Sequence, residues 1–119
     1  MASHDRKQSV ESESAVLVGV ELPDRHPSGD PLEELSGLVE TAGAAVVGRV
    51  TQRRQAPNAA TYVGRGKVDE LKLVVDAADA DVVIFDNDLS PAQIRNLEEA
   101  LKVKVLDRTF SPIATVTAP

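Results

Sequence analysis

The chain has 119 residues, of which 42% are apolar, with a net charge of −6 and no cysteine. These values predict one folded domain with a single core, and they exclude disulfides and thiolate metal sites. The polar residues 1–14 lack the apolar stretch of a secretory signal, so we expect a disordered lead-in there, and no segment has the ~20 apolar residues of a membrane helix.

Apolar runs and helical spacings alternate along the chain. Residues 15–20 form a continuous apolar run and residues 44–50 are similar, which is typical of strands buried on both faces of a parallel sheet. Shorter runs follow at 81–86 and 103–107. Between these runs, apolar residues recur at helical spacing three times, within 32–42, 68–78 and 94–101.

This order predicts an α/β domain in three layers, a mainly parallel four-stranded sheet with helices on both faces. The pattern leaves the order of the strands in the sheet open. Asp30–Glu33 supplies an N-cap, a proline at the first helical position and a box-like glutamate for the first helix, and Gly43 suits its end. Ser90–Gln93 predicts a capping box for the third helix.

Positive charge is concentrated in one stretch of this acidic chain. Residues 41–68 contain no Asp or Glu. The same stretch carries five cations, Arg49, Arg53, Arg54, Arg65 and Lys67. An acidic domain with one cationic stretch indicates a directed contact with an anion. The alternative is a solvated loop whose charge has no partner.

A glycine-rich segment, Gly64–Lys67, directly precedes the second helix. Gly64 and Gly66 allow a tight turn, and the free N–H groups of a helix N-terminus favour an anion there, with Arg65 and Lys67 adding full charges. This predicts a phosphate site, for a nucleotide or an RNA backbone. It is not a Walker A loop, because Val68 follows the lysine where that motif needs Ser or Thr. A glycine cap with two solvated cations is the alternative.

Carboxylates follow several of the predicted strands. Asp86, Asp88 and Asp107 stand at strand ends, where they could converge on a ligand hydroxyl or Mg²⁺ at one edge of the sheet. The structural alternative is that they serve turns and caps, since Asp is common where strands enter loops. His4 and His26 have no neighbouring ligand set, so no metal site is predicted.

Two further functions are disfavoured by residue types. No serine stands in a nucleophile elbow and cysteine is absent, so no catalytic residue is predicted. The aromatic residues are Tyr62, Phe85 and Phe110, too few for a base-stacking platform. Any RNA contact is therefore expected at the backbone or through shape.

The quoted residues resemble the N-terminal domain of HflX-family ribosome-associated GTPases. Residues 40–71 and 80–109 carry the elements TQRR, TYVGRGKVDEL, DNDLSPAQIRNLE and DRT in family order. The resemblance spans residues 15–109 and implies an α/β domain that binds the large ribosomal subunit through rRNA. Several family members split or rescue stalled ribosomes under stress. We expect a cytoplasmic protein with neither DNA nor a membrane as partner.

The resemblance also bears on nucleotides and on site residues. HflX proteins hydrolyse GTP with Mg²⁺ in a separate C-terminal G domain, and some bind ATP through the N-terminal part. Gly64, Gly66 and Lys67 match the family's glycine-rich segment, and Arg53 and Arg54 match its basic loop. This part of the protein is therefore expected to need no cofactor, with ATP as the one left open.

After Thr109 the chain departs from the family, which continues into a long helix of a hairpin and then the G domain. Residues 110–119 read FSPIATVTAP, a poor helix because of two prolines and β-branched residues. We expect a truncated or frame-shifted product, or a fragment, that is noncatalytic alone. Three hypotheses remain: a ribosome-binding module, an ATP-binding domain using Gly64–Lys67 with Asp86 or Asp88, or an inert remnant.

Overall fold

The structure, a computed structural model, describes residues 10–23 and 32–109. It contains four strands and three helices in the predicted order. Their bounds are β1 Ser14–Glu21, α1 Glu33–Thr41, β2 Ala45–Arg53, α2 Arg65–Ala78, β3 Val82–Phe85, α3 Pro91–Leu101 and β4 Lys104–Leu106. Among these described helices, none is both long and apolar enough to cross a membrane.

The four strands form one sheet in the order β2-β1-β3-β4, and every neighbouring pair is parallel. β1 and β3 are therefore central, and β2 and β4 lie at the edges. Side chains that alternate along β1 divide the core in two. Val16 and Val18 pack with residues of α2 and α3 on one face, whereas Ala15 and Leu17 pack with residues of α1 on the other. The predicted three-layer α/β fold is confirmed.

β2 differs from the prediction that both of its faces are buried. Ala45, Val47 and Arg49 are exposed, and Val50 is the fully buried residue of this strand. The reason is that β2 is an edge strand. Of the described strands, only β1 lies beside it, so its side chains are covered by fewer neighbours than those of a central strand. By contrast, the central strand β1 is buried throughout residues 15–20, as predicted.

The helix ends follow local chemistry closely. Ser90 and Gln93 form the predicted capping box of α3. Gly43 ends α1 with φ +96°, and Gly43 N and Ala44 N donate to carbonyls within the last turn, a Schellman arrangement. α1 begins at Glu33 with Leu32 in the N-cap position and no side-chain cap, later than predicted, and residues 30–31 lie outside the described residues.

Packed residues extend beyond the predicted domain bounds at the N-terminal side. Val10 is fully buried against the α1 face of the sheet, and Ser12 N donates to Gly43 O at 3.0 Å. Residues 1–9 of the expected lead-in and the C-terminal residues 110–119 lie outside the described residues.

Candidate functional site

The carboxyl end of β2 meets the amino end of α2. Gly64 is the N-cap of α2, and its N–H donates to Gln52 Oε1 at 3.0 Å. Arg54 Nη1 lies 2.7 Å from where a Cβ on Gly64 would stand, so the absence of a side chain there lets the guanidinium rest against the helix start. Arg54 is held further by its Nε, which donates to Ala56 O at 2.9 Å.

The loop between β2 and α2, residues 54–64, is compact. Asn58 and Tyr62 exchange two backbone hydrogen bonds of 2.9 Å, and Asn58 Oδ1 accepts from Ala60 N and Thr61 N. Tyr62 has a positive φ of 68° and is buried with its ring edge-on to Phe85, at a centroid distance of 6.4 Å. A bulky residue keeps such a backbone angle only where its surroundings fix it.

The basic side chains of this region differ in their partners. Arg53 lies 3.6 Å from the carboxylate of Glu21, with 86% of its side chain exposed, so solvent weakens the pair. Lys67 pairs with Glu70 at 2.9 Å. Arg65 is exposed and makes no hydrogen bond or ion pair with any residue that the structure describes.

We call Arg53, Arg54, Gly64, Arg65, Gly66 and Lys67 the basic surface. No side-chain cap satisfies the first amides of α2, so the positive end of this helix faces outward. A Cβ on Gly66 would meet no atom within 4 Å, so the fold does not require glycine there. Arg54 and Gly64 are in direct proximity, whereas Arg53 projects to the opposite face of β2.

The buried polar side chains that follow β3 and β4 have hydrogen-bond partners within the fold. Asp107 is buried and accepts hydrogen bonds from Leu89 N, Thr109 N and Thr109 Oγ1. Asn87 is buried and binds both backbone groups of Val20, accepting from its N–H at 3.0 Å and donating to its carbonyl at 3.1 Å. These side chains tie turns to the sheet.

The predicted strand-end carboxylates lie at some distance from the glycine-rich segment. β1 separates β2 from β3, so the end of β3, which Asp86 follows, lies about 10 Å from the end of β2. Asp86 is half-buried and Asp88 is exposed. Within residues 10–23 and 32–109, no three His, Asp or Glu side chains come together as metal ligands.

The side-chain amides that hold the loop between β2 and α2 were not predicted from the sequence. Gln52 holds Gly64, Asn58 closes the turn, and Gln93 and Asn96 of α3 each donate to a loop carbonyl. The three-residue spacing of Gln93 and Asn96 puts both on one face of α3, a signal that was present in the sequence. Their target, however, is more than 30 residues away along the chain.

The chain matches one protein family and several curated relatives in sequence. The family described as GTP-binding GTPase N-terminal matches residues 29–110. The chain is 45% identical over 98 residues to the GTPase HflX of Lacrimispora saccharolytica, and 42% identical over 97 residues to the GTPase HflX of Escherichia coli. Both alignments cover 82% of this chain, but only 23% and 22% of the relatives' length.

A solved structure shows the same fold. A GTP-binding protein from the archaeon Sulfolobus solfataricus, in complex with GDP, superposes with a TM-score of 0.59 at 20% identity, covering 87% of this chain and 30% of that one. The chain therefore belongs to the GTP-binding GTPase N-terminal family. Within that family it corresponds to the N-terminal region of HflX.

Proposed function

We propose that this domain docks an HflX-type protein on the large ribosomal subunit, with the basic surface contacting rRNA phosphates. One observation carries the proposal. The stretch without acidic residues, 41–68, folds into an exposed edge strand, a compact loop and the start of a helix, so its cations share one region of the molecule. Because the relatives are named GTPases, the domain would serve a GTP-hydrolysing protein as its binding module.

The arrangement of the cations favours an extended polyanion over one nucleotide. Arg53 is the last residue of β2 and Arg54 is the first residue of the loop, and their side chains lie on different sides of the sheet. Arg53 lies beside Glu21 on one face, while Arg54 rests against Gly64 on the other. An RNA backbone running along the edge of the sheet offers phosphates to both side chains. The amino end of α2 adds backbone N–H groups that can bind a phosphate.

Co-sedimentation with purified large ribosomal subunits tests this proposal. A variant with Arg53, Arg54, Arg65 and Lys67 all changed to Ala is compared with the wild type. Because several phosphate contacts make affinity fall steeply with salt, we expect wild-type binding to drop by orders of magnitude between about 50 and 200 mM salt. The variant should bind weakly at both concentrations.

A matched control separates this surface from overall charge. It replaces four cations elsewhere with Ala, namely Lys72, Arg95, Lys102 and Arg108. The control should retain binding, since its net charge equals that of the first variant. Equal loss in both variants, or no binding by a wild type with a cooperative thermal melt, would contradict the proposal.

A further inference from the structure

The loop between β2 and α2, which contains Arg54 and Gly64 of the basic surface, is hydrogen-bonded to α3. Gln93 Nε2 donates to Asn58 O at 2.9 Å, and Asn96 Nδ2 donates to Ala60 O at 2.9 Å. The two side chains are three residues apart and therefore lie on the same face of the helix. Both bonds end within the loop, between Arg54 at its start and Arg65, the first residue of α2.

Gln93 performs two tasks with one amide group. Its Oε1 accepts from Ser90 N at 2.8 Å and completes the capping box, while its Nε2 reaches the loop. A glutamate could complete the same cap, and its charge would favour the helix N-terminus. An ionised carboxylate has no donor, however, so it could not bind the carbonyl of Asn58. The loop bond therefore requires glutamine at this position.

We infer that Gln93 and Asn96 are positioning residues that hold the loop, and with it the basic surface, in its binding shape. This inference rests on the proposed function. Asn58 O also accepts from Tyr62 N, and Asn58 Oδ1 accepts from Ala60 N, so the donors of α3 fix the same residues that form the turn. A loop ordered before binding loses less conformational entropy when it meets its partner.

Gln93→Glu tests the inference, because it keeps the cap and removes the donor. The thermal melt should stay cooperative, with a midpoint lowered by the lost bond and by a carboxylate buried beside the carbonyl oxygen of Asn58. In the free protein, the amides of Ala60 and Thr61 should exchange hydrogen faster, while amides of β1 keep their protection. Binding to large ribosomal subunits should weaken about fivefold, the effect of one hydrogen bond. Asn96→Ala should give the same local result without adding charge.

Ala92→Glu is the matched control, since it adds the same negative charge on exposed helix surface one residue away. It should leave loop exchange unchanged and weaken binding less than Gln93→Glu. Equal losses of binding in the two variants, or undisturbed loop exchange in Gln93→Glu and Asn96→Ala, would overturn the inference. If the wild type does not bind, the proposed function fails, and the exchange measurement still decides whether α3 orders the loop.

Discussion

The carboxyl edge of the sheet has two halves, and the polar groups of the two halves differ in their hydrogen-bond partners. At the ends of β3 and β4, Asn87 and Asp107 are buried and their hydrogen bonds satisfy neighbouring backbone. At the end of β2 and the start of α2, the first amides lack a side-chain cap, and Arg65 has no partner among the described residues. Polar residues at strand ends thus serve the fold in one half and remain accessible to a ligand in the other.

The largest expected effect is on stability, in the half formed by the ends of β3 and β4. Asn87→Leu removes both bonds to Val20 and leaves a buried N–H and a buried carbonyl without partners. We expect a loss of about 2–4 kcal/mol in the free energy of unfolding, measured by urea denaturation. Asp88→Ala, in the same turn but exposed, should change it by less than about 0.5 kcal/mol. Similar small effects in both variants would show that water replaces the Asn87 bonds.

A glycine pair gives a smaller effect whose sign differs between its two members, Gly43 at the end of α1 and Gly66 in the accessible half. Gly43→Ala should destabilise the protein by about 1–2 kcal/mol, because φ is +96° there. Gly66→Ala should stabilise it by about 0.5 kcal/mol, since the added Cβ meets open space within a helix.

The binding measurement sharpens this contrast. If a phosphate approaches the backbone of α2, Gly66→Ala should weaken ribosome binding despite its greater stability. Thermal melts and co-sedimentation of the same samples provide both values. Unchanged affinity would remove Gly66 from the basic surface.

The smallest effect distinguishes two cations within the accessible half. Arg65→Ala should lower the salt dependence of binding by about one phosphate contact. Lys67→Ala should lower it less, because the ammonium already pairs with Glu70 and must leave that partner to reach a phosphate. Arg65→Ala should not alter stability by more than about 0.5 kcal/mol, because Arg65 is exposed. Salt titrations of both variants measure the difference, and equal slopes would show that the Lys67 pair opens freely.

Much of the fold could be predicted from the sequence because the relevant signals are local. The apolar periods gave all four strands and three helices, and the capping box at Ser90 and the stop at Gly43 depend on residues within one turn. The glycine-rich segment was expected directly before the second helix, but only Gly64 precedes α2, and Arg65, Gly66 and Lys67 form its first turn. The predicted burial of both faces of β2 was wrong, because an apolar run has the same sequence pattern in an edge strand as in a central strand.

The candidate site depended on distant contacts. Local sequence could suggest a turn or a ligand for Asp107, but only the fold shows its acceptance from Leu89 N. The hydrogen bonds between Gln52 and Gly64 and between Gln93 and Asn58 join residues that are far apart in the sequence.

The sequence by itself determined the elements, the end of α1, the capping box of α3 and the position of the positive charge along the chain. Tertiary structure decided which strand lies at the edge, which polar side chains satisfy buried backbone and which loop α3 holds. The physical reason is the sequence distance over which each interaction acts. Helix caps and hydrophobic periods act over a few residues, whereas strand order and the hydrogen bonds of buried amides are fixed only when the whole sheet is packed.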